Sequence, residues 1–290
     1  SVTVVCTDKT GTLTEGVMRA EVFASSKERL SREELKAGGL DVTILTLMRT
    51  AALCNDASVS KDGTTVGDST EVALLEAAIS AGFDMRKLQQ ELPRVDVVPF
   101  EAQARFMATL NGDKKRTVYV KGAPEVVMRM CTFSKKEKVQ YEKQLSALTK
   151  RGLRVLGFAT GSAITWGEKP KGLSFVGLIG LRDPLREGTK QTVEQAAQAG
   201  VRTIMITGDH AKTALSVARE LGIEIDGGVV TGEELETRSM MQLKTTLRHT
   251  SVFARIEPKH KIKIVRALQS MGEVTAMTGD GVNDAPALRQ

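Results

Sequence analysis

Aromatic residues are scarce in this chain, only 4% of 290 residues. Branched aliphatics, alanine and methionine must therefore fill its cores. Cysteine is scarce too: Cys6, Cys54 and Cys131 are odd in number, far apart and without a C-x-x-C pair. That argues against a disulfide framework and predicts a reducing compartment. The three histidines, His210, His249 and His260, lack metal-ligand spacing, so no zinc centre is expected. No apolar run reaches the roughly 20 residues of a bilayer span, and no signal-peptide pattern opens the chain. No charge of one sign dominates. The net charge is +6, and the tightest basic clusters are Lys114-Lys115-Arg116 and Lys135, Lys136 and Lys138. Such clusters read as solvated faces, so nucleic acid is not expected as a partner, whereas a small anion such as a nucleotide suits the modest excess.

The length is comfortable for two domains. A β-branched run, Val2-Thr3-Val4-Val5, leads into Cys6-Thr7-Asp8 and reads as a buried parallel strand. From about residue 175 strands and helices alternate. Strands are predicted over 174–181, 201–206, 251–254 and 273–277, and helices over 187–200, 212–221 and 259–271. This alternation predicts a doubly wound parallel α/β sheet. Residues 18–178 lack the rhythm. Helical stretches at 41–53, 70–81 and 135–150 mix with strands at 94–99, 105–110 and 117–121, and Asn111-Gly112 is a hairpin signal. The expected organisation is a parallel domain of residues 1–17 and 179–290, carrying an inserted α+β domain of residues 18–178. The abrupt start in a strand and stop in a helical pattern predict a piece trimmed from a longer protein.

Chemistry concentrates at the predicted strand ends, where open α/β sheets bind ligands. Asp8-Lys9-Thr10-Gly11-Thr12-Leu13-Thr14 follows the first strand, Thr207-Gly208-Asp209 another, and Gly279-Asp280-Gly281-Val282-Asn283-Asp284 the last. Lys261 opens the helix after 251–254. A carboxylate beside a glycine- and hydroxyl-rich turn can attack a phosphoryl group, and turn N–H groups can cradle the oxygens. Bringing two anions together calls for magnesium on hard oxygen ligands, which Asp8 and Asp280 supply. The Thr207 hydroxyl and Lys261 ammonium suit the remaining phosphate oxygens. Alone, Asp8 would read as a polar turn cap and Lys261 as a surface lysine.

Together, DKTGTLT (8–14), KGAPE (121–125), DPLR (183–186), MITGDH (205–210) and MTGDGVNDAPAL (277–288) resemble the signature set of P-type cation-transporting ATPases, of the type II, calcium-pump-like branch. The likeness runs along essentially the whole chain. It implies a phosphorylation domain of haloacid-dehalogenase type with an inserted nucleotide-binding domain. It also implies ATP as substrate, magnesium as cofactor, Asp8 as the phosphorylated nucleophile, and cation transport, with calcium as the expected ion, in the full protein. Asp8, Thr10 and Asp280 would hold the metal. Thr207, Gly208, Asp209, Lys261, Asn283 and Asp284 would complete the phosphate site. Thr10 stands where related phosphatases carry an acid–base aspartate, so the phosphoenzyme should persist. Phe100 would stack on adenine, although a lone phenylalanine after Pro99 otherwise reads as core. Glu71, Arg105, Met107, Lys121, Gly122 and Arg154 would line the pocket, with Asp183 and Arg186 meeting the nucleotide from the hinge side. The likeness implies missing actuator and transmembrane domains, a place on the cytosolic face of a membrane, and a soluble, monomeric fragment.

Departures from the family pattern are local: Ser69 after Gly67-Asp68, Leu185 in DPLR, and Arg105 where lysine is common. Thr231-Gly232-Glu233-Glu234 imitates the dephosphorylation loop of the actuator domain, but between a strand and a helix Thr231 reads as an N-cap. A soluble phosphatase of the same superfamily is the competing function, opposed by Thr10 and KGAPE. A non-catalytic nucleotide-binding module is the third, and would require damage at Asp8, Lys261 or Asp280.

Overall fold

A computed structural model describes residues 1–162, 164, 166–167 and 170–279. Asp280, Asn283 and Asp284 lie outside these residues. The chain forms two compact units, Ser1–Val17 with Asp183–Gln290, and Met18–Arg182.

Unit 1 is built on five parallel strands in the order Val229–Thr231, Val252–Ala254, Arg202–Ile206, Val4–Asp8, Thr275–Thr278. Alternation along the strands supplies two apolar faces. Cys6, Ile204, Ile206 and Phe253 pack with Leu243, Leu247, Ile264 and Leu268 of the helices Met240–His249 and Pro258–Gln269. Met205, Val252 and Ala254 pack with Val193 of Thr189–Gln198 and with Ala214, Ala218 and Leu221 of Ala211–Leu221. Helices thus cover both faces. Thr231 caps Gly232–Thr237 in a reciprocal box with Glu234, which explains the Thr-Gly-Glu-Glu string locally.

Unit 2 centres on an antiparallel sheet ordered Arg29–Ser31, Arg19–Ala24, Leu173–Arg182, Arg154–Ser162, Thr117–Gly122, Phe106–Asn111, Arg94–Val98, with Cys131–Thr132 added parallel to Leu173–Arg182. Helices Val42–Leu53 and Ser69–Ser80 cover one face and share a core with Phe23, Met107, Tyr119, Phe158 and Ile179. Val127 of Pro124–Arg129, and Tyr141 and Leu148 of Lys135–Lys150, cover the other.

One expected element is corrected. The sequence pattern reads 174–181 as opening the parallel alternation and sets a boundary at 178. The strand instead runs unbroken through Leu173–Arg182 and pairs with Arg19–Ala24 and Arg154–Ser162. An apolar run of this length has the same appearance in either sheet. Its partners decide, and neither Arg19–Ala24 nor Arg154–Ser162 is among the strands the sequence pattern predicts.

Candidate functional site

Asp8 is the last residue of an interior parallel strand, flanked by Arg202–Ile206 and Thr275–Thr278, and its register partner is Ile206. Thr207 therefore follows directly at the neighbouring strand end. On the other side Thr7 pairs with Thr278, so Gly279 opens the next strand-end segment. After Asp8 the chain turns sharply. Thr10 has extended backbone angles, Gly11 lies at φ 74°, and the Thr10 N–H donates to Asp8 Oδ1 at 3.3 Å. A positive φ is readily reached by glycine and costly for a β-branched residue, which explains Gly11 between two threonines.

Lys261, four residues into Pro258–Gln269, sends its ammonium to Asp8 Oδ2 at 2.5 Å and is 4% exposed. Thr207 is buried. Its N–H donates to Phe253 O, its carbonyl accepts from Ile256 N, and its hydroxyl oxygen accepts from Asp209 N at 3.1 Å. Gly208 has open space around it, the nearest atom to an added Cβ being Ile256 O at 4.0 Å.

The residues expected on the hinge side anchor the loop after Asp8. Asp183 accepts from the Thr14 hydroxyl at 2.6 Å and from Gly16 N at 2.9 Å, and Arg186 donates to Gly11 O and Thr14 O. Two residues not anticipated as functional complete this lattice. Lys9 is buried and pairs with Asp209 at 3.1 Å and, more loosely, with Asp183 at 3.8 Å. Thr14 is fully buried. Lys9 lies within the signature string, but its neighbours 174 and 200 positions away could not be read from sequence.

Unit 2 gathers a second set. Met107, Lys121 and Phe158 are register partners across three strands. Lys121 is buried and contacts Glu71, in the first turn of Ser69–Ser80. Asp56 N donates to Glu71 Oε2 at 3.1 Å, and Arg154 Nη1 to the Thr70 hydroxyl at 3.2 Å. Glu71, Met107 and Lys121 thus form one cluster, with Arg154 tied to the start of the same helix. Cys54 lies against this cluster, its thiol 3.4 Å from Met107 O; burial pushes it up to about 11, so it is an inert neutral group.

Phe100 is 58% exposed and belongs to none of the apolar cores, so the core reading of this residue fails. Arg105 has φ 58° and pairs with Glu125 at 2.8 Å. Gly122 is fixed by close approach: an added Cβ would sit 2.4 Å from Arg105 O and 2.7 Å from Phe106 Cα.

The fold and these two clusters define a parallel α/β unit with a lysine-paired carboxylate at the end of an interior strand, interrupted by an antiparallel unit with a buried lysine–glutamate pair. Residues 43–188 match the family described as P-type ATPase, cytoplasmic domain N, and the chain belongs to that family. It is 37% identical over 308 residues to Calcium-transporting ATPase 1 of Lactococcus lactis, covering all of this chain and 35% of the relative. The corresponding protein of Bacillus cereus is 38% identical over 306 residues, again all of this chain and 34% of the relative. Cation-transporting ATPase pma1 of Synechocystis is 38% identical over 328 residues, all of this chain and 36% of the relative. The chain spans about a third of the length of these relatives. Among the described residues no helix is long and apolar enough to cross a membrane.

Proposed function

We propose that the chain is the catalytic core of an ATP-driven cation pump, in which Asp8 accepts the γ-phosphoryl group of ATP. The observation that carries this reading is the Lys261–Asp8 contact at the carboxyl end of the interior parallel strand Val4–Asp8, beside buried Thr207. In the step, an Asp8 carboxylate oxygen bonds to the γ-phosphorus, the bond to the β–γ bridging oxygen breaks, and ADP leaves with that electron pair. Lysine and backbone donors fixed before the reaction stabilise the charge that spreads over the equatorial oxygens. Unit 1 then corresponds to a phosphorylation domain of haloacid-dehalogenase type, and Unit 2 to a nucleotide-binding domain.

The donor set fits magnesium, since the Asp8 carboxylate and the Thr10 carbonyl offer hard oxygens at one strand end. Asp8, the Thr10 carbonyl and Asp280 would hold the ion, which supplies charge neutralisation when bound. Asn283 and Asp284 are assigned to the same phosphate site. We assign Glu71, Phe100, Arg105, Met107, Lys121, Gly122 and Arg154 to nucleotide binding. Asp183, Arg186 and Asp209 order the loop after Asp8. In the whole protein, actuator and membrane domains would couple this chemistry to transport, with calcium as the ion and this core on the cytosolic side. Two of the relatives above carry calcium transport in their names.

Incubation with γ-labelled ATP and magnesium is expected to give label that neutral hydroxylamine releases, as acyl phosphates require, and that Asp8→Asn lacks. Label resistant to hydroxylamine, or retained in Asp8→Asn, overturns the assignment.

Phe100→Ala is expected to weaken ATP binding about tenfold or more, because stacking of a base on an aromatic contributes roughly 1–3 kcal/mol. Its exposure makes the folded state indifferent to the change. Calorimetry at matched thermal stability checks this, and unchanged affinity removes Phe100 from the pocket.

Thr10 supplies no general base, whose help is worth about 10²–10⁴-fold. Thr10→Asp is therefore expected to shorten the phosphoenzyme lifetime. Chasing preformed labelled protein with unlabelled ATP and chelator separates decay from yield. Decay at the wild-type rate or slower confines Thr10 to phosphate and metal binding.

A further inference from the structure

Asn55 is a buried amide, 4% exposed, directly after the Cys54 cap of Val42–Leu53. An interior tolerates such a side chain when its donors and its oxygen are met, and here backbone groups meet them. Nδ2 donates to Ala51 O at 3.1 Å, in the helix just ended, and to Glu71 O at 3.0 Å, while Oδ1 accepts from Ala57 N at 2.8 Å. One side chain therefore ties the end of Val42–Leu53 to the first turn of Ser69–Ser80. Two further contacts hold the segment 54–57. Ala57 seats against Gly67, where an added Cβ would come within 2.8 Å of Ala57 Cβ. Arg94, the first residue of the edge strand Arg94–Val98, closes the segment from the sheet. Its Nη1 donates to Asp56 Oδ1 at 2.8 Å and its Nη2 to Asn55 O. So held, the segment presents the Asp56 N–H, which donates to Glu71 Oε2 at 3.1 Å, the same oxygen that receives the Lys121 ammonium.

We propose that Asn55 and Arg94 are positioning residues for the nucleotide site, acting through Glu71. This role rests on the assignment of Glu71 and Lys121 to nucleotide binding. A glutamate swings about several single bonds, and one ammonium on a flexible stem does not set its orientation. A backbone N–H is directional, and its place is fixed by the segment that carries it. With the Asp56 N–H and Lys121 on one oxygen, the carboxylate keeps one orientation and Lys121 is anchored in turn. Arg94 spans two successive residues with a planar fork, which a lysine does not reproduce. Both residues act before a ligand arrives, so the site is preorganised and less ordering remains to be done on binding.

ATP titrated into the 290-residue chain by calorimetry tests this role. Arg94→Gln alters a partly exposed side chain on an edge strand. It should leave the fold intact and weaken binding about tenfold, the scale of a lost outer partner to a binding group. Arg94→Lys keeps the ion pair with Asp56 but not the fork, and should fall between Arg94→Gln and the unaltered chain. Asn55→Asp keeps the acceptor for Ala57 N but sets a carboxylate against two carbonyls, and should weaken binding at least as much as Arg94→Gln. In a Glu71→Ala background, Arg94→Gln should change affinity by less than about twofold, since residues acting through one another do not add. A merely structural arginine would show its full loss in either background. The ligand-free chain supplies a second readout. The Asp56 amide proton resonance, held downfield by the bond to a carboxylate, should move upfield in Arg94→Gln and in Glu71→Ala alike. Unchanged ATP affinity in Glu71→Ala would overturn the assignment of Glu71 and this role with it. Weaker binding in Glu71→Ala but not in Arg94→Gln, additive losses, or an Asp56 resonance that Arg94→Gln leaves in place would overturn the positioning role alone.

Discussion

Lys261→Met is expected to lower the rate of Asp8 labelling by about 10²–10³-fold, the loss typical of one preorganised donor to a developing oxyanion. It should also destabilise Unit 1. Both side chains of the pair are largely buried, at 5% and 15% exposure, and removing one partner of a buried pair leaves a charge uncompensated, at roughly 3–5 kcal/mol. The residual access of Asp8 to water places the expectation at the lower end of that range. The two effects separate in a double variant. Asp8→Asn/Lys261→Met removes both charges and should recover most of the stability, yet none of the labelling. The checks are denaturant midpoints beside label incorporation in Asp8→Asn, Lys261→Met and the double variant. Labelling by Lys261→Met at the wild-type rate would show that the lysine merely neutralises Asp8 in the resting protein. A double variant no more stable than Lys261→Met would show that the loss comes from packing of the lysine stem.

Gly122→Ala is expected to be the most damaging single-methyl change in Unit 2. The added Cβ meets backbone, Arg105 O at 2.4 Å and Phe106 Cα at 2.7 Å, so no rotamer change relieves it. The strands Phe106–Asn111 and Thr117–Gly122 must part, and the bond from Ala123 N to Arg105 O at 2.9 Å is strained with them. Overpacking of this kind costs about 3 kcal/mol, equivalent to a fall of roughly 6–12 °C in melting temperature for a unit of this size. Because Lys121 is the adjacent residue, ATP affinity should fall as well. Gly208→Ala is the contrast. Its Cβ has no neighbour closer than 4.0 Å, so stability should hold within about 0.5 kcal/mol while labelling falls if phosphate approaches that backbone. Scanning calorimetry of the two variants decides between them. Equal melting temperatures would mean that the sheet around Gly122 yields.

The family resemblance was legible in the sequence because its motifs are short, ordered strings of residue types. Local structure was legible wherever the determinants are local. The helix predicted at 135–150 is Lys135–Lys150, and its Ser134–Glu137 capping box lies within four residues. The hairpin at Asn111-Gly112 joins Phe106–Asn111 to Thr117–Gly122, because a turn's backbone angles belong to its own residues. The strand Arg19–Ala24 was missed. Arg19 and Glu21 alternate with buried Ala20 and Val22, but the buried run Val22-Phe23-Ala24 ends the alternation after four residues, too short a stretch to signal a strand.

That Asp8, Thr207 and Gly279 stand at ends of short apolar runs is readable from the chain alone, since hydrophobic periodicity and turn residues fix where strands stop. Which strands become neighbours is set by the packed fold. That choice sets Asp8 beside Thr207, brings Lys261 from 253 positions away, and buries Lys9 between Asp209 and Asp183. It also moved all of Leu173–Arg182 into the antiparallel sheet. The physical reason is the same in each case. An apolar run records that it must be buried, whereas the partner that buries it is selected by the packing of whole faces, which no local pattern carries.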